Sequence, residues 1–360
     1  MQSSLLALAL VSVTAASAAS AQTRVELYGV LDGGVQSITR ADIDGVKQHS
    51  SLGLTSSFNW GNRIGLRGSE DLGGGNQLVF TLENGFQLDT GALASRDRLF
   101  NRQAYLGLQN ALGTVAFGRF GTPGSTAGNF DMFWQADPFE GGYGDAGMVT
   151  FANYWTLDNA VVVRSANMNG LIGSAMYSFS MDGQEKPGSG SNNRFAALGA
   201  NYSVGKLWSA LIYETKLAAD GSGEDETIFK AALNYDFGPV KPFLAFSRAD
   251  NYANYGQSSD SNTWLLGLTA PLAGGLVRAS WQYLDGKEKQ LAAGTFAAER
   301  EVWSLGYSYH LSKRTIAWGV ASHSSGDKSL DKNSQAGYVM AADRQDVNRS
   351  MLTLGLTHSF

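Results

Sequence analysis

The chain has 360 residues, with 43% hydrophobic, 11% aromatic and only 16% charged side chains, 44 glycines and no cysteine. The absence of cysteine excludes disulfides and thiolate metal sites, and no metal or other cofactor is expected. A net charge of -5 without a basic block argues against nucleic acid as a partner.

Residues 1–23 carry no charged side chain, the first being Arg24. An apolar stretch, Leu5 to Val13, leads into Thr14 and a run of Ala and Ser, and Ala19-Ser20-Ala21 fits a small-x-small cleavage site. The expectation is a cleaved secretory signal over residues 1–21 and one mature domain over 22–360. It departs from the usual signal in one respect, since no Lys or Arg precedes the apolar stretch. Beyond it no run approaches the roughly eighteen apolar residues of a membrane helix.

From Val25 onward the chain alternates. Val25, Leu27, Gly29 and Leu31 interleave with Glu26, Tyr28, Val30 and Asp32; Leu78, Phe80 and Leu82 with Gln77, Val79, Thr81 and Glu83; Trp303, Leu305, Tyr307 and Tyr309 with Val302, Ser304, Gly306 and Ser308. The last residues repeat the pattern, with Leu352, Leu354, Leu356, His358 and Phe360 opposite Thr353, Gly355, Thr357 and Ser359. A period of two with one apolar face describes strands between lipid and water. Short turn-forming connectors such as Asn110 to Gly113 and Pro271 to Gly275 alternate with long polar ones such as Ser37 to Ser57 and His323 to Val347. Seven short and eight long connectors imply sixteen strands. The predicted fold is therefore an all-β transmembrane antiparallel barrel with short periplasmic turns and long extracellular loops. The six prolines all fall in loops, turns or first strand residues, and Trp208, Trp264 and Trp281 sit toward strand ends as interfacial aromatics do.

One connector differs from the rest. The 35 residues from Thr122 to Thr156 contain no Lys, Arg or His, but contain Asp131, Asp137, Glu140, Asp145 and many aromatics. So many aromatics predict a segment packed against protein, and inside a barrel that means a third loop folded into the lumen. Arg63 and Arg67 share the polar face of a preceding strand, Arg102 opens the next, and Arg119 stands where the loop leaves the wall. Since Arg is costly in hydrocarbon, all four are expected in the lumen, although strict alternation puts Arg119 on the face of Val115 and Phe117. Loop acids facing wall arginines would set a transverse field across a pore constriction.

LYGVLDGG (Leu27 to Gly34), RIGLRGSEDLGGG (Arg63 to Gly75), LENGF (Leu82 to Phe86), FNRQAYLGL (Phe100 to Leu108), GTVAFGR (Gly113 to Arg119), LSKRT (Leu311 to Thr315) and the closing LTLGLTHSF resemble the general diffusion porins of β-proteobacteria. The resemblance spans Val25 to Phe360. It implies a homotrimer of sixteen-stranded barrels in the outer membrane, among its lipid and lipopolysaccharide. Phe360 would be the terminal signal read by the barrel-assembly machinery. By motif position Arg63 and Arg102 correspond to the constriction arginines, and Arg67 and Arg119 sit in matching motifs. Where the family commonly has an Arg after the third loop this chain has Thr156, and Arg164 lies eight residues further on as an uncertain lumen charge. The implied function is passive diffusion of small hydrophilic solutes and ions. A substrate-specific channel or a non-conducting structural or adhesive barrel are the alternatives. The four His occupy no hydrolase or metalloprotease motif, so no enzyme is expected.

Overall fold

The computed structural model describes residues 23–40, 50–219, 224–254, 257–290, 294–297, 299–326 and 348–360. The expected signal segment and residues 327–347 of the last long loop lie outside them. One antiparallel sheet closes on itself, its first strand pairing with its last over Val30↔Ser359 to Arg40↔Arg349. In chain order the strands are β1 (Arg24–Arg40), β2 (Ser51–Ser56 and Arg63–Gly73), β3 (Asn76–Gly85), β4 (Gln103–Asn110), β5 (Gly113–Gly121) and β6 (Thr156–Ser165). They continue as β7 (Leu171–Ser178), β8 (Arg194–Val204), β9 (Leu207–Leu217), β10 (Glu226–Tyr235) and β11 (Lys241–Asn254). The wall is completed by β12 (Gln257–Leu272), β13 (Gly275–Gln290), β14 (Gly294–Ala297 and Arg300–His310), β15 (Thr315–Gly326) and β16 (Arg349–Ser359). Both segments of β2 pair with β1 and both segments of β14 pair with β13, so sixteen strands form the wall.

The alternation read from the sequence is the inside-outside alternation of this wall. In β16, Leu352, Leu354 and Leu356 are 53%, 58% and 52% exposed, whereas Thr353 and Thr357 are 0% and 2% exposed. Free strand edges would leave unpaired backbone groups in lipid at several kcal/mol each, so closure removes that cost. At the tip, Phe360 and Gly29 exchange two backbone hydrogen bonds of 3.1 Å.

The wall has one inward detour. Gly33 pairs with Ser56 but Val30 pairs with Arg63, so six residues of β2, numbers 57–62, oppose two of β1. Asp32 holds this detour. Its carboxylate accepts the backbone N–H of Phe58 at 2.6 Å and of Asn59 at 3.0 Å, and the Thr357 hydroxyl at 2.5 Å. Asn62 continues the ladder with its side chain, accepting from the Asp32 N–H and donating to the Asp32 carbonyl at 2.9 Å.

The loop between β5 and β6, here L3, fills part of the interior and contributes to all three clusters of the described apolar core. Phe120 and Phe130 pack with Leu157 and Phe195; Met132, Phe133 and Phe151 with Trp208, Ile212 and Leu265; Phe139 and Tyr143 with Phe58, Trp318 and Met351. Leu354→Arg, which places a charge among the lipid-facing leucines, is expected to lower folding stability by about 2–4 kcal/mol. Urea titration of refolding into phospholipid vesicles measures it.

Candidate pore constriction

Cross-strand register brings the expected wall arginines together around a carboxylate. Glu83, facing inward from β3, receives Arg102 Nε on one oxygen at 2.7 Å, and Arg63 Nε lies 3.8 Å from the other. The Tyr28 hydroxyl donates to Glu83 at 2.8 Å. Arg102 is buried and Arg63 is partly exposed, with its guanidinium 5.9 Å from the Trp60 ring centroid. Two glycines make room for Arg102: a Cβ at Gly61 would stand 2.6 Å from its Nη1, and one at Gly85 would stand 3.2 Å from its Cδ. Two guanidiniums thus flank one carboxylate on the wall.

Arg67 and Arg119 are elsewhere. Arg67 lies nearer the short turns, making bonds of 3.1 and 3.0 Å to Glu26. Arg119 is not a lumen residue, and this corrects its expected place in the constriction. It keeps the parity of Val115 and Phe117 and pairs across to Ala104 on the outer face. Hydrocarbon is kept from it by polar partners: the Asn101 carbonyl at 2.8 Å, Asp158 at 2.6 Å and Thr156 at 2.7 Å. Arg98 joins the same Asp158 at 2.7 Å. Thr156 thus serves a neighbouring arginine from the position where the family pattern has an Arg. Arg164 does face inward, donating to the Asn129 carbonyl of L3 at 2.8 Å.

The loop acids mostly bind the loop itself. Asp131 accepts the Phe133 N–H at 2.7 Å, and Asp137 accepts those of Phe139 and Gly141 at 2.5 and 2.9 Å. Asp145 is buried against the far wall, where Arg349 of β16 reaches it with bonds of 2.9 and 2.8 Å and Arg300 of β14 lies at 3.5 Å. Asp131, Asp137 and Asp145 are thus buried in contacts of their own, and of the four loop acids expected to set the transverse field only Glu140 is partly open to solvent. Burial pushes the Asp137 carboxyl up to about 7 and raises Asp131, while Arg349 and Arg300 overcome burial to hold Asp145 below its ordinary value.

Side chains missed by the sequence reading complete the anchorage. Glu214 accepts the Gly124 N–H at 2.9 Å, and buried Lys230 donates to the Gly124 carbonyl at 2.7 Å and to Asn153 at 3.1 Å, tying both ends of L3 to β9 and β10. Gln282 of β13 donates to the Asp145 carbonyl at 3.1 Å and accepts from the Thr150 hydroxyl at 3.1 Å. The Tyr143 N–H donates to the Phe58 carbonyl at 2.6 Å, so the loop tip also grips the inward detour of β2. Alternation does place Glu214, Lys230 and Gln282 on inward faces, but their partners required the fold.

A closed sixteen-stranded barrel with an apolar outside, a polar inside and an inserted third loop defines an outer-membrane channel. The pattern of the Gram-negative porin family matches residues 6–329, and the chain belongs to that family. It is 32% identical to an outer membrane porin protein of Bordetella pertussis over 90% of this chain and 94% of the relative. It is 29% identical to outer membrane porin protein 32 of Delftia acidovorans, over the full length of both. Among solved structures, an anion-selective porin from Comamonas acidovorans superposes with a TM-score of 0.72 at 24% identity, covering 94% of this chain and all of that one. The protein is an outer-membrane porin that supports passive diffusion.

Two predictions follow from the loop acids. Asp145→Asn leaves two buried arginines facing a neutral amide and is expected to cost about 3–5 kcal/mol, read from the thermal unfolding midpoint in detergent. The folded chain binds the Asp137 proton more tightly than the unfolded chain does, so this group's contribution to stability falls as pH rises from 3.8 to about 7. Denaturant titrations across that window should show the slope, and Asp137→Asn should flatten it.

Proposed function

We propose that the pore favours small hydrophilic anions and carries out no chemistry. The observation behind this reading is the clustering of arginines on the inward face: Arg63 and Arg102 both lie against Glu83, Arg300 and Arg349 both lie against Asp145, and Arg164 donates to an L3 carbonyl. Of the loop acids only Glu140 meets water to any extent, so L3 does not cancel the wall. Arg63 would act directly as the more open charge. Arg102 would act by neutralising Glu83, whose negative charge would otherwise favour cations. Glu140 would be the remaining acidic contributor, while Asp131, Asp137 and Asp145 would hold the loop in place. The anion selectivity named for the Comamonas acidovorans porin is consistent with this reading.

The same proposal carries a homotrimer set in outer-membrane lipid and lipopolysaccharide, a precursor cleaved after residue 21, and Phe360 as the strand end recognised by the barrel-assembly machinery. The exposed Leu27, Leu66, Leu106 and Phe117 of β1, β2, β4 and β5 supply an apolar outer face for lipid or neighbouring protomers.

Reversal potential under a KCl gradient tests the selectivity. The wild type should lie on the chloride side of zero permeability bias, and Arg63→Gln with Arg102→Gln should move it toward potassium. A charge about 4 Å from the ion path is worth about 1 kcal/mol in water, or roughly fivefold in local ion concentration. An unmoved potential would remove the pair from the selectivity-determining section.

A further inference from the structure

Beneath the first arm of L3, on the short-turn side, the wall of β1 to β6 opens into a recess of about 540 Å³. Its charged lining is Arg24, Arg67 and Arg164 against one carboxylate, Glu26. Arg67 grips Glu26 and packs 5.0 Å from the Tyr28 ring centroid, yet its side chain stays 54% exposed. Arg164 faces it from β6. Among the described residues it has no carboxylate at ion-pair distance, its hydrogen bond going to the Asn129 carbonyl. The floor between them bears neutral hydrogen-bonding groups, including Thr81, Tyr105 and Gln109. Asn129 and Phe130 of L3 close the recess above.

We infer that this recess is a binding site for multivalent oxyanions entering from the periplasm, separate from the Glu83 cluster. The inference rests on the chain being a conducting pore. The chemistry follows from the spacing of the arginines. Arg67 and Arg164 stand on strands four steps apart, about 19 Å along the wall at the usual strand spacing, and both border the recess between them. A monovalent anion meets one guanidinium, and at Arg67 it competes with Glu26. A solute with two or more anionic groups engages both guanidiniums, each a fixed fork of donors suited to phosphate or carboxylate. Because L3 roofs the recess, a solute from the short-turn side meets it before the constriction, and one from the long-loop side meets it only after.

Single-channel recording in KCl with inorganic pyrophosphate added to one chamber tests this. The chain has no cysteine, so Asp71→Cys at the exposed short-turn end of β2, labelled with an impermeant thiol reagent, reports orientation. Pyrophosphate should reduce the current at a concentration about tenfold lower from the periplasmic chamber. Arg164→Gln should weaken that block by about tenfold, and Glu26→Gln, which frees Arg67, should strengthen it. Equal block from both chambers, or a block that neither substitution moves, would overturn the site. A channel silent in KCl would instead overturn the pore reading, while normal KCl current without pyrophosphate block overturns the recess alone.

Discussion

The structure depends on the requirement that a backbone crossing lipid has every N–H and C=O paired within the protein. A closed sheet satisfies it, and closure gives each strand an outward face toward hydrocarbon and an inward face toward water or L3. The interior can therefore hold charge without strain on the fold. Glu83, Glu214, Lys230, Arg300 and Arg349 sit at inward strand positions, where alternation keeps charge away from hydrocarbon. The apparent exception, Arg119, shows the strength of the rule. Its parity puts it outside, and the chain surrounds it with Asp158, Thr156 and the Asn101 carbonyl rather than shifting the register.

L3 is the second consequence. A chain entering a polar lumen must bring its own apolar packing, and this one brings Phe130, Phe133, Phe139 and Tyr143 to pack against Phe195, Trp208, Trp318 and their neighbours. Apolar contact does not fix orientation, and the polar anchors do. Lys230 and Glu214 hold its root, Asp145 holds the tip to β14 and β16, and Tyr143 ties the tip to the detour of β2. That detour depends on Asp32, which connects β1 to the last strand through Thr357. The loop position is thus set by residues from both ends of the chain, joined only once the barrel has closed.

The barrel was legible in the sequence because its signal is local. Alternation within ten residues identifies a strand, and turn residues between strands identify connectors. Arg63 and Arg102 were legible for the same reason, as charges that lipid would not accept. Glu83 was visible as an inward residue, but its role as their shared counter-charge needed the register between β2 and β3 and the fold of the chain before β4. The pairing of Asp145 with Arg349 spans 204 residues, and no local pattern carries it. Arg119 was legible in its parity, while the family motif pointed it into the pore, and the parity was correct.

These separations bear on how an acidic chain would come to have the anion preference proposed for it. The net charge of -5 counts all residues alike, but the field in the lumen counts only charges on inward faces that remain unpaired. Each loop acid that turns into backbone or onto Arg300 and Arg349 is lost to that field as an independent negative charge. Asp137, neutral up to about pH 7, is lost more completely. On the proposed reading, the carboxylates that fix L3 are the same ones withheld from the field of the pore. A loop with fewer acids would be looser, and one with acids turned to the water would oppose the wall. The proposed selectivity would then be coupled to anchorage through Asp131, Asp137 and Asp145, and exchanging those residues would alter both together.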